Sequence, residues 1–161
     1  MTKLSKRSAG FVLKRLDPAH PAFAELVEES RKEGFWMLVR LADGWARDEN
    51  RFRGRGETLL AAWRGDELAG VCCLGIDPHV EKRREGRVMH LYVRPACRRL
   101  GAGRLLIDAI VEKARKYFPA LNVNAPEEAS AFYETLGFRR VESPSANHRL
   151  QLVRPRSGKG G

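Results

Sequence analysis

The sequence predicts a single α/β (α+β) domain, a mixed and mostly antiparallel sheet with helices packed on it. Strand-like and helix-like runs follow one another in the order β, α, α, β, β, β, α, β, α, β, β. The 161 residues, 43% of them hydrophobic, suffice for one core and are too few for two ordinary domains. Neither a repeat nor an internal linker divides them.

Residues 11–16 alternate weakly as a short strand. Asp17 and Pro18 open a helical stretch in which Phe23, Leu26 and Val27 share a face. Gly34 interrupts it, and 35–47 reads as a second helix bearing Trp36, Leu38, Leu41 and Trp45. A polar loop at 51–56 precedes a hairpin, whose strands 58–63 and 67–76 flank the turn residues Arg64, Gly65 and Asp66. Residues 87–93 are strongly strand-like. Alternation places Met89, Leu91 and Val93 on one side and Val88, His90 and Tyr92 on the other, as in an interior strand. Ala102, Leu105, Leu106, Ala109, Ile110, Ala114 and Tyr117 recur at helical spacing within 101–118, and Pro119 stops that helix. A short strand at 120–123 follows. Pro126 fits the first turn of another helix, Glu127 and Glu128 its positive end, and Gly137 its exit. Strands at 138–141 and 148–153 complete the domain, 10–153, between flexible termini at 1–9 and 154–161.

The net charge is +10. Such a surface attracts nucleic acid, anionic membrane or a polyanionic small molecule. Here the positive residues are dispersed, which favours a solvated basic surface over nucleic-acid binding. No apolar run approaches the length of a membrane span, and no signal-peptide core follows the basic N-terminus, so a cytoplasmic protein is expected. Cys72, Cys73 and Cys97 form no CxxC pair and read as free thiols, and no metal site is expected.

The segment 91–104 reads Leu-Tyr-Val-Arg-Pro-Ala-Cys-Arg-Arg-Leu-Gly-Ala-Gly-Arg: a buried strand, a short basic loop, then a helix opened by Gly101 and Gly103. Helix N-termini offer unpaired N–H groups and a partial positive charge to phosphates. Glycines let the backbone approach closely, and Arg98, Arg99 and Arg104 add charge, so a pyrophosphate site is the natural inference. A dinucleotide fingerprint fails at Leu106, and the Gly-Lys-Ser/Thr of a P-loop is absent.

The pattern Arg98-x-x-Gly101-x-Gly103 resembles the acetyl-CoA-binding motif of the GNAT superfamily of N-acetyltransferases. The run Ala129-x-x-Phe132-Tyr133-Glu134-x-Leu136-Gly137-Phe138 resembles its second block. The likeness is specific over 86–142 and looser over 11–77. It implies a GNAT-like fold, acetyl-CoA as cosubstrate and a primary amine as acceptor, in a small molecule, peptide or protein N-terminus. The acceptor itself, and whether the chain works as a homodimer, stay open.

The resemblance implies roles residue by residue. The amides of Arg99, Leu100, Gly101, Ala102, Gly103 and Arg104 would hold the pyrophosphate. The strand Leu91, Tyr92, Val93 would align the pantetheine arm, with the Leu91 N–H on the thioester oxygen. Tyr133 matches the family's tyrosine acid. A thiol near pKa 8.5 taking a proton from a phenol near 10 is uphill by roughly 2 kcal/mol, so Tyr133 reads as a hydrogen-bond donor to the leaving thiolate. An Asn often found seven residues before that tyrosine is Pro126 here, with Asn124 nearby. The family's base positions carry Arg87 and Leu121, leaving Asp77, His79 and His148, each at a strand end, as candidate bases for which an ordinary surface role is the favoured reading, and His90 as a buried, hydrogen-bonded histidine. A site without a strong base favours an amine of low pKa. Cys97 beside the loop lacks a histidine near it in sequence and is not expected to be a nucleophile. Phe35, Trp36 and Trp45 are candidates for the acceptor pocket. Two other readings stand beside this one: a CoA-binding regulator without catalysis and, less favoured, a basic nucleic-acid-binding module.

Overall fold

The structure, a computed structural model, describes residues 7–152 apart from Ala9 and Arg83. Its strands are β1 (Arg7–Ser8), β2 (Phe11–Arg15), β3 (Thr58–Arg64), β4 (Glu67–Ile76), β5 (Gly86–Val93), β6 (Ala120–Val123), β7 (Arg139–Arg140) and β8 (His148–Gln151). The helices are α1 (Pro21–Lys32), α2 (Met37–Ala46), α3 (Ala102–Ala114) and α4 (Ser130–Thr135). The eight strands form one sheet in the order β1-β2-β3-β4-β5-β6-β8-β7, with β5–β6 its parallel pair among the described residues.

Alternate residues of the central strands serve opposite faces. Leu60 and Ala62 of β3 and Cys72 and Leu74 of β4 pack with Leu105, Leu106 and Ile110 of α3. Their neighbours Leu59, Ala61, Val71 and Cys73 pack with Phe23 and Leu26 of α1 and Leu38 and Leu41 of α2. A strand covered on both faces needs an apolar side chain at every position, which explains the unbroken run of β4.

The alternation expected along β5 breaks at His90. Cys73 pairs with Met89 and Val71 with Tyr92, so Cys72 faces two residues, His90 and Leu91. His90 takes a left-handed conformation, φ 58°. One inserted residue reverses the pleat. Val88, Leu91 and Val93 therefore pack toward α3, while Met89 and Tyr92 pack toward α1 and α2. A β-bulge carries no signature in side-chain spacing, so the sequence reading missed it.

The remaining differences lie at element ends. α3 ends at Ala114, with 115–117 a turn. The helix expected at Pro126 begins as a 3-10 turn, Glu127–Ala129, before α4. Strand β7 is two residues long. Of the termini expected to be flexible, Arg7–Ser8 pair with Phe11 and Val12, while 1–6, Ala9 and 154–161 lie outside the described residues. No helix among the described residues is long and apolar enough to cross a membrane.

Beside the bulge, β4 and β5 approach so closely that a Cβ on Gly70 would lie 2.7 Å from the Tyr92 carbonyl oxygen and 3.1 Å from the Val93 Cα. Both are backbone atoms that cannot swing aside. Gly70→Ala is expected to destabilise the fold by about 2 kcal/mol, read as a lower urea midpoint at unchanged m-value.

Candidate active site

Strand β5 pairs with β6 only at Gly86 and Arg87, opposite Leu121 and Asn122. Beyond Arg87 the two strands part. On its other side β5 stays bonded to β4, with Tyr92 opposite Val71. The backbone groups of Leu91 and Val93 alternate with that pairing and face the gap. In the gap lies a cavity of about 480 Å³.

The glycine loop closes one end of this cavity. Arg99 (φ 64°) and Gly101 (φ 99°) both take left-handed conformations, which turn successive amides to one side. Gly101 caps α3 without a side-chain bond, and the first helical bond runs from Leu105 N to Gly101 O at 3.0 Å. None of the six amides of residues 99–104 donates to a protein acceptor among the described residues. Unpartnered amides beside a cavity, with a helix dipole behind them, form a receptor for an anion. A Cβ on Gly103 would meet Phe132 at 3.5 Å and Val93 at 3.8 Å, ordinary contact distances. Packing within the chain therefore does not demand glycine there.

Eight of the ten predicted cofactor residues line the cavity: Leu91, Tyr92 and Val93 of β5, Arg98, Arg99 and Gly101 of the loop, and Gly103 and Arg104 of α3. Leu100 projects outward, 42% exposed, and Ala102 is buried against the core. Arg98 does not present free charge. Its Nε donates to the Val93 carbonyl at 2.8 Å, and its two terminal nitrogens grip both oxygens of Glu33 at 3.0 and 2.6 Å. The Tyr92 hydroxyl donates to the same carboxylate at 2.6 Å. This clasp joins the end of α1 to the loop, and just beyond it Phe35 and Met37 form part of the cavity wall. Sequence reading missed Glu33, which stands 65 residues from Arg98 with no local pattern to mark it. Hydrogen bonds from Arg98, and then from Tyr92, hold the Glu33 carboxyl below the usual carboxylate range against the opposing effect of burial. Arg99 has no ionic partner among the described residues, and Arg104 reaches Asp108 only at 3.8 Å.

The far wall comes from Pro126 and from Phe132, Thr135 and Leu136 on or just after α4. Tyr133 is not on that wall. It is 3% exposed, with its ring 5.2 Å from Phe132, 5.3 Å from Phe138 and 6.1 Å from His148. Its hydroxyl makes no hydrogen bond among the described residues. Burial, with the Cys72 thiol as a second influence, pushes its pKa well up, so the phenol keeps its proton.

The residues considered as bases are mostly committed elsewhere. Asp77 accepts from Asn122 at 2.9 Å and from the His79 amide at 2.9 Å, deep in the β5–β6 junction. In the same network Arg149 grips Glu85 through both nitrogens at 2.7 and 3.0 Å. His148 is fully buried, bonded to Ser130 at 3.0 Å and to Asn147 at 2.8 Å. His79 and Asn124 are exposed at the surface. His90 is expected from the sequence to be hydrogen-bonded, yet its ring makes no hydrogen bond among the described residues. It lies edge-on to Phe52 at 6.2 Å. Burial, then the charge of Arg40, lowers its pKa to about 4, so the imidazole is neutral. All three cysteines are buried with raised pKa values, Cys72 at about 12, which leaves Cys97 a poor nucleophile. No group of three or more metal-ligating side chains occurs among the described residues.

The fold is matched by known proteins. Residues 29–154 fit the family model described as the acetyltransferase (GNAT) domain. A candidate acetyltransferase from Exiguobacterium sp. 255-15 superposes with TM-score 0.77 at 24% identity, over 88% of this chain and 93% of that one. A GNAT-family acetyltransferase of Staphylococcus aureus Mu50 does so with TM-score 0.68 at 14% identity, over 89% and 99%. The candidate acetyltransferase yncA of Salmonella typhimurium, solved with its cofactor acetyl-CoA, does so with TM-score 0.66 at 18% identity, over 94% and 99%. The chain belongs to the GNAT acetyltransferases. It is an acetyltransferase, and acetyl-CoA is its cosubstrate.

The clasp has a pH signature of known sign. A carboxyl whose pKa is lowered on folding contributes stability above its unfolded value, near 4.3, and loses it as pH falls through the folded value. Glu33→Gln is expected to lower stability by about 0.5–1 kcal/mol at pH 7, because the pair is part-exposed. In urea titrations across pH, the gap from wild type should narrow below about pH 4.

Proposed function

We propose that the chain transfers the acetyl group of acetyl-CoA directly to a primary amine. The single observation that carries this reading is the run of unpartnered amides at 99–104 opening onto a gap edged by Leu91 and Val93. These amides, with Arg99 and Arg104, receive the diphosphate. The exposed backbone edge of β5 pairs with the amides of the pantetheine arm as an extra strand would, because buried peptide groups need partners. This lays the thioester along β5 toward the bulge, where the Leu91 N–H stabilises the developing oxyanion. Tyr133 lies just behind the Phe132 wall; it keeps its proton and its hydroxyl makes no hydrogen bond among the described residues, so it is the candidate donor to the leaving thiolate once that wall yields to the cosubstrate.

Asp77 and Glu85 are held in hydrogen bonds, and the imidazole nearest the reaction is neutral and weakly basic. The amine must therefore arrive deprotonated or lose its proton to water. For a lysine-like amine at pH 7 that costs about 4–5 kcal/mol, against about 1 for an α-amine. An acceptor of low pKa follows. The committed carboxylates also favour a second reading, a CoA-binding protein without transfer. Thiol release from acetyl-CoA in the presence of a panel of amines separates the two, since a regulator releases none above background.

Isothermal titration tests the binding half. Wild type should bind acetyl-CoA, and Gly103→Glu should fold normally but lose binding, since its carboxylate would occupy the anion position. Unchanged affinity would contradict the placement. Tyr133→Phe should lower kcat by roughly tenfold to a hundredfold with little change in acetyl-CoA affinity. A wild-type rate would remove Tyr133 from the reaction.

A further inference from the structure

Opposite the glycine loop, at the end where β5 begins, three connections meet: 47–57 before β3, 77–85 after β4, and 115–119 before β6. They are packed together. A Cβ on Gly56 would fall 2.8 Å from Tyr117 and 2.9 Å from Phe118, and Arg84 donates to the Arg55 carbonyl. On this rim the Arg53 guanidinium lies 5.8 Å from the Trp45 ring, Arg55 5.8 Å from Tyr117, and Arg84 5.3 Å from Phe118. All three arginines are exposed, and none has a carboxylate partner among the described residues. Two nearby carboxylates are already engaged: Glu57 accepts from the Gly54 and Ile76 amides, and Asp48 pairs with Arg51. Ring contacts restrain these guanidinium groups; Arg84 spends one N–H on the Arg55 carbonyl, while Arg53 and Arg55 keep N–H groups that can grip a carboxylate or phosphate. Three such groups on one rim form a preset anion receptor, distinct from the amides at 99–104.

The rim is joined to the reaction centre. Phe52, between Arg51 and Arg53, is buried and turns its ring toward His90, the bulge residue beside Leu91. With the diphosphate at the Val93 end of β5, the thioester points toward Gly86, and the Phe52–His90 contact places the rim on that side of the reaction centre. We propose that the rim of Arg53, Arg55 and Arg84 selects acceptors that carry a carboxylate or phosphate a short distance from the amine. This rests on the acetyl-transfer reading and specifies its substrate class. The same positive field disfavours polyamines and lysine-rich segments.

The test uses the full chain and paired acceptors, a phosphoserine-containing tetrapeptide against its serine counterpart and an acidic tetrapeptide against its neutral and lysine-containing counterparts. Acetyl-CoA binding is read first by calorimetry. Its absence would remove the acetyl-transfer reading and this one with it. With acetyl-CoA bound, kcat/KM should favour the acidic member of at least one pair by about tenfold or more. The phosphate and carboxylate pairs show which anion the rim takes. The preference should shrink between about 50 and 300 mM salt, and in the double variant Arg53→Ala, Arg55→Ala the ratio should fall toward one. Binding of the labelled acidic tetrapeptide, followed by anisotropy, should weaken in the same variant, which gives a readout independent of turnover. The proposal is overturned if neutral or lysine-containing acceptors react as well, if the labelled peptide does not bind, or if an amine-free RNA oligonucleotide binds more tightly than the acidic peptide.

Discussion

A sheet that stops pairing in its middle sets the terms for the rest of this structure. The β5–β6 ladder ends at Arg87, where Asn122, Asp77, Glu85 and Arg149 tie the junction shut with buried hydrogen bonds. Past that knot the β5 edge has no neighbouring strand, and of its gap-facing groups only the Val93 carbonyl, which accepts from Arg98, has a partner among the described residues. Unpaired peptide groups beside a cavity are costly unless water or a ligand meets them. The cavity, the glycine loop and α3 are arranged around that gap.

Two strained residues shape its ends. Arg99 turns the loop amides toward the cavity, and His90 reverses the pleat of β5 so that Leu91 and Val93 share the α3 face. Non-glycine residues in this conformation persist where surrounding contacts over-determine them. Around His90 those contacts are the β4 pairing on either side of the bulge and the Phe52 ring. Around Arg99 they are the Arg98 clasp to Glu33 and the start of α3.

Much of this was legible in the sequence. The element order, the β3–β4 hairpin, β6 and the glycine-opened helix all followed from periodicity and turn residues. Leu91, Val93, Gly101 and Gly103 could be placed on one site because a strand, a loop and a helix follow one another without a break. What could not be read depends on distant pairing. The bulge at His90 is visible only against Cys72 of β4. Glu33 acquires its role only once α1 packs over β5, and it takes up Arg98, which by motif alone reads as free charge for the pyrophosphate. Phe132, Tyr133 and Leu136 stand together in one motif run, yet folding divides them, with Phe132 and Leu136 on the cavity and Tyr133 behind. The dispersed basic residues resolve into a rim only when three separate connections converge.

In the proposed site the amides of residues 99–104, with those of Leu91 and Val93, are the cosubstrate's hydrogen-bond partners. Amide-resolved NMR during titration with CoA observes those groups one by one. The largest shift changes should fall on these amides. Saturable binding with the largest changes elsewhere, and these resonances unmoved, would contradict it.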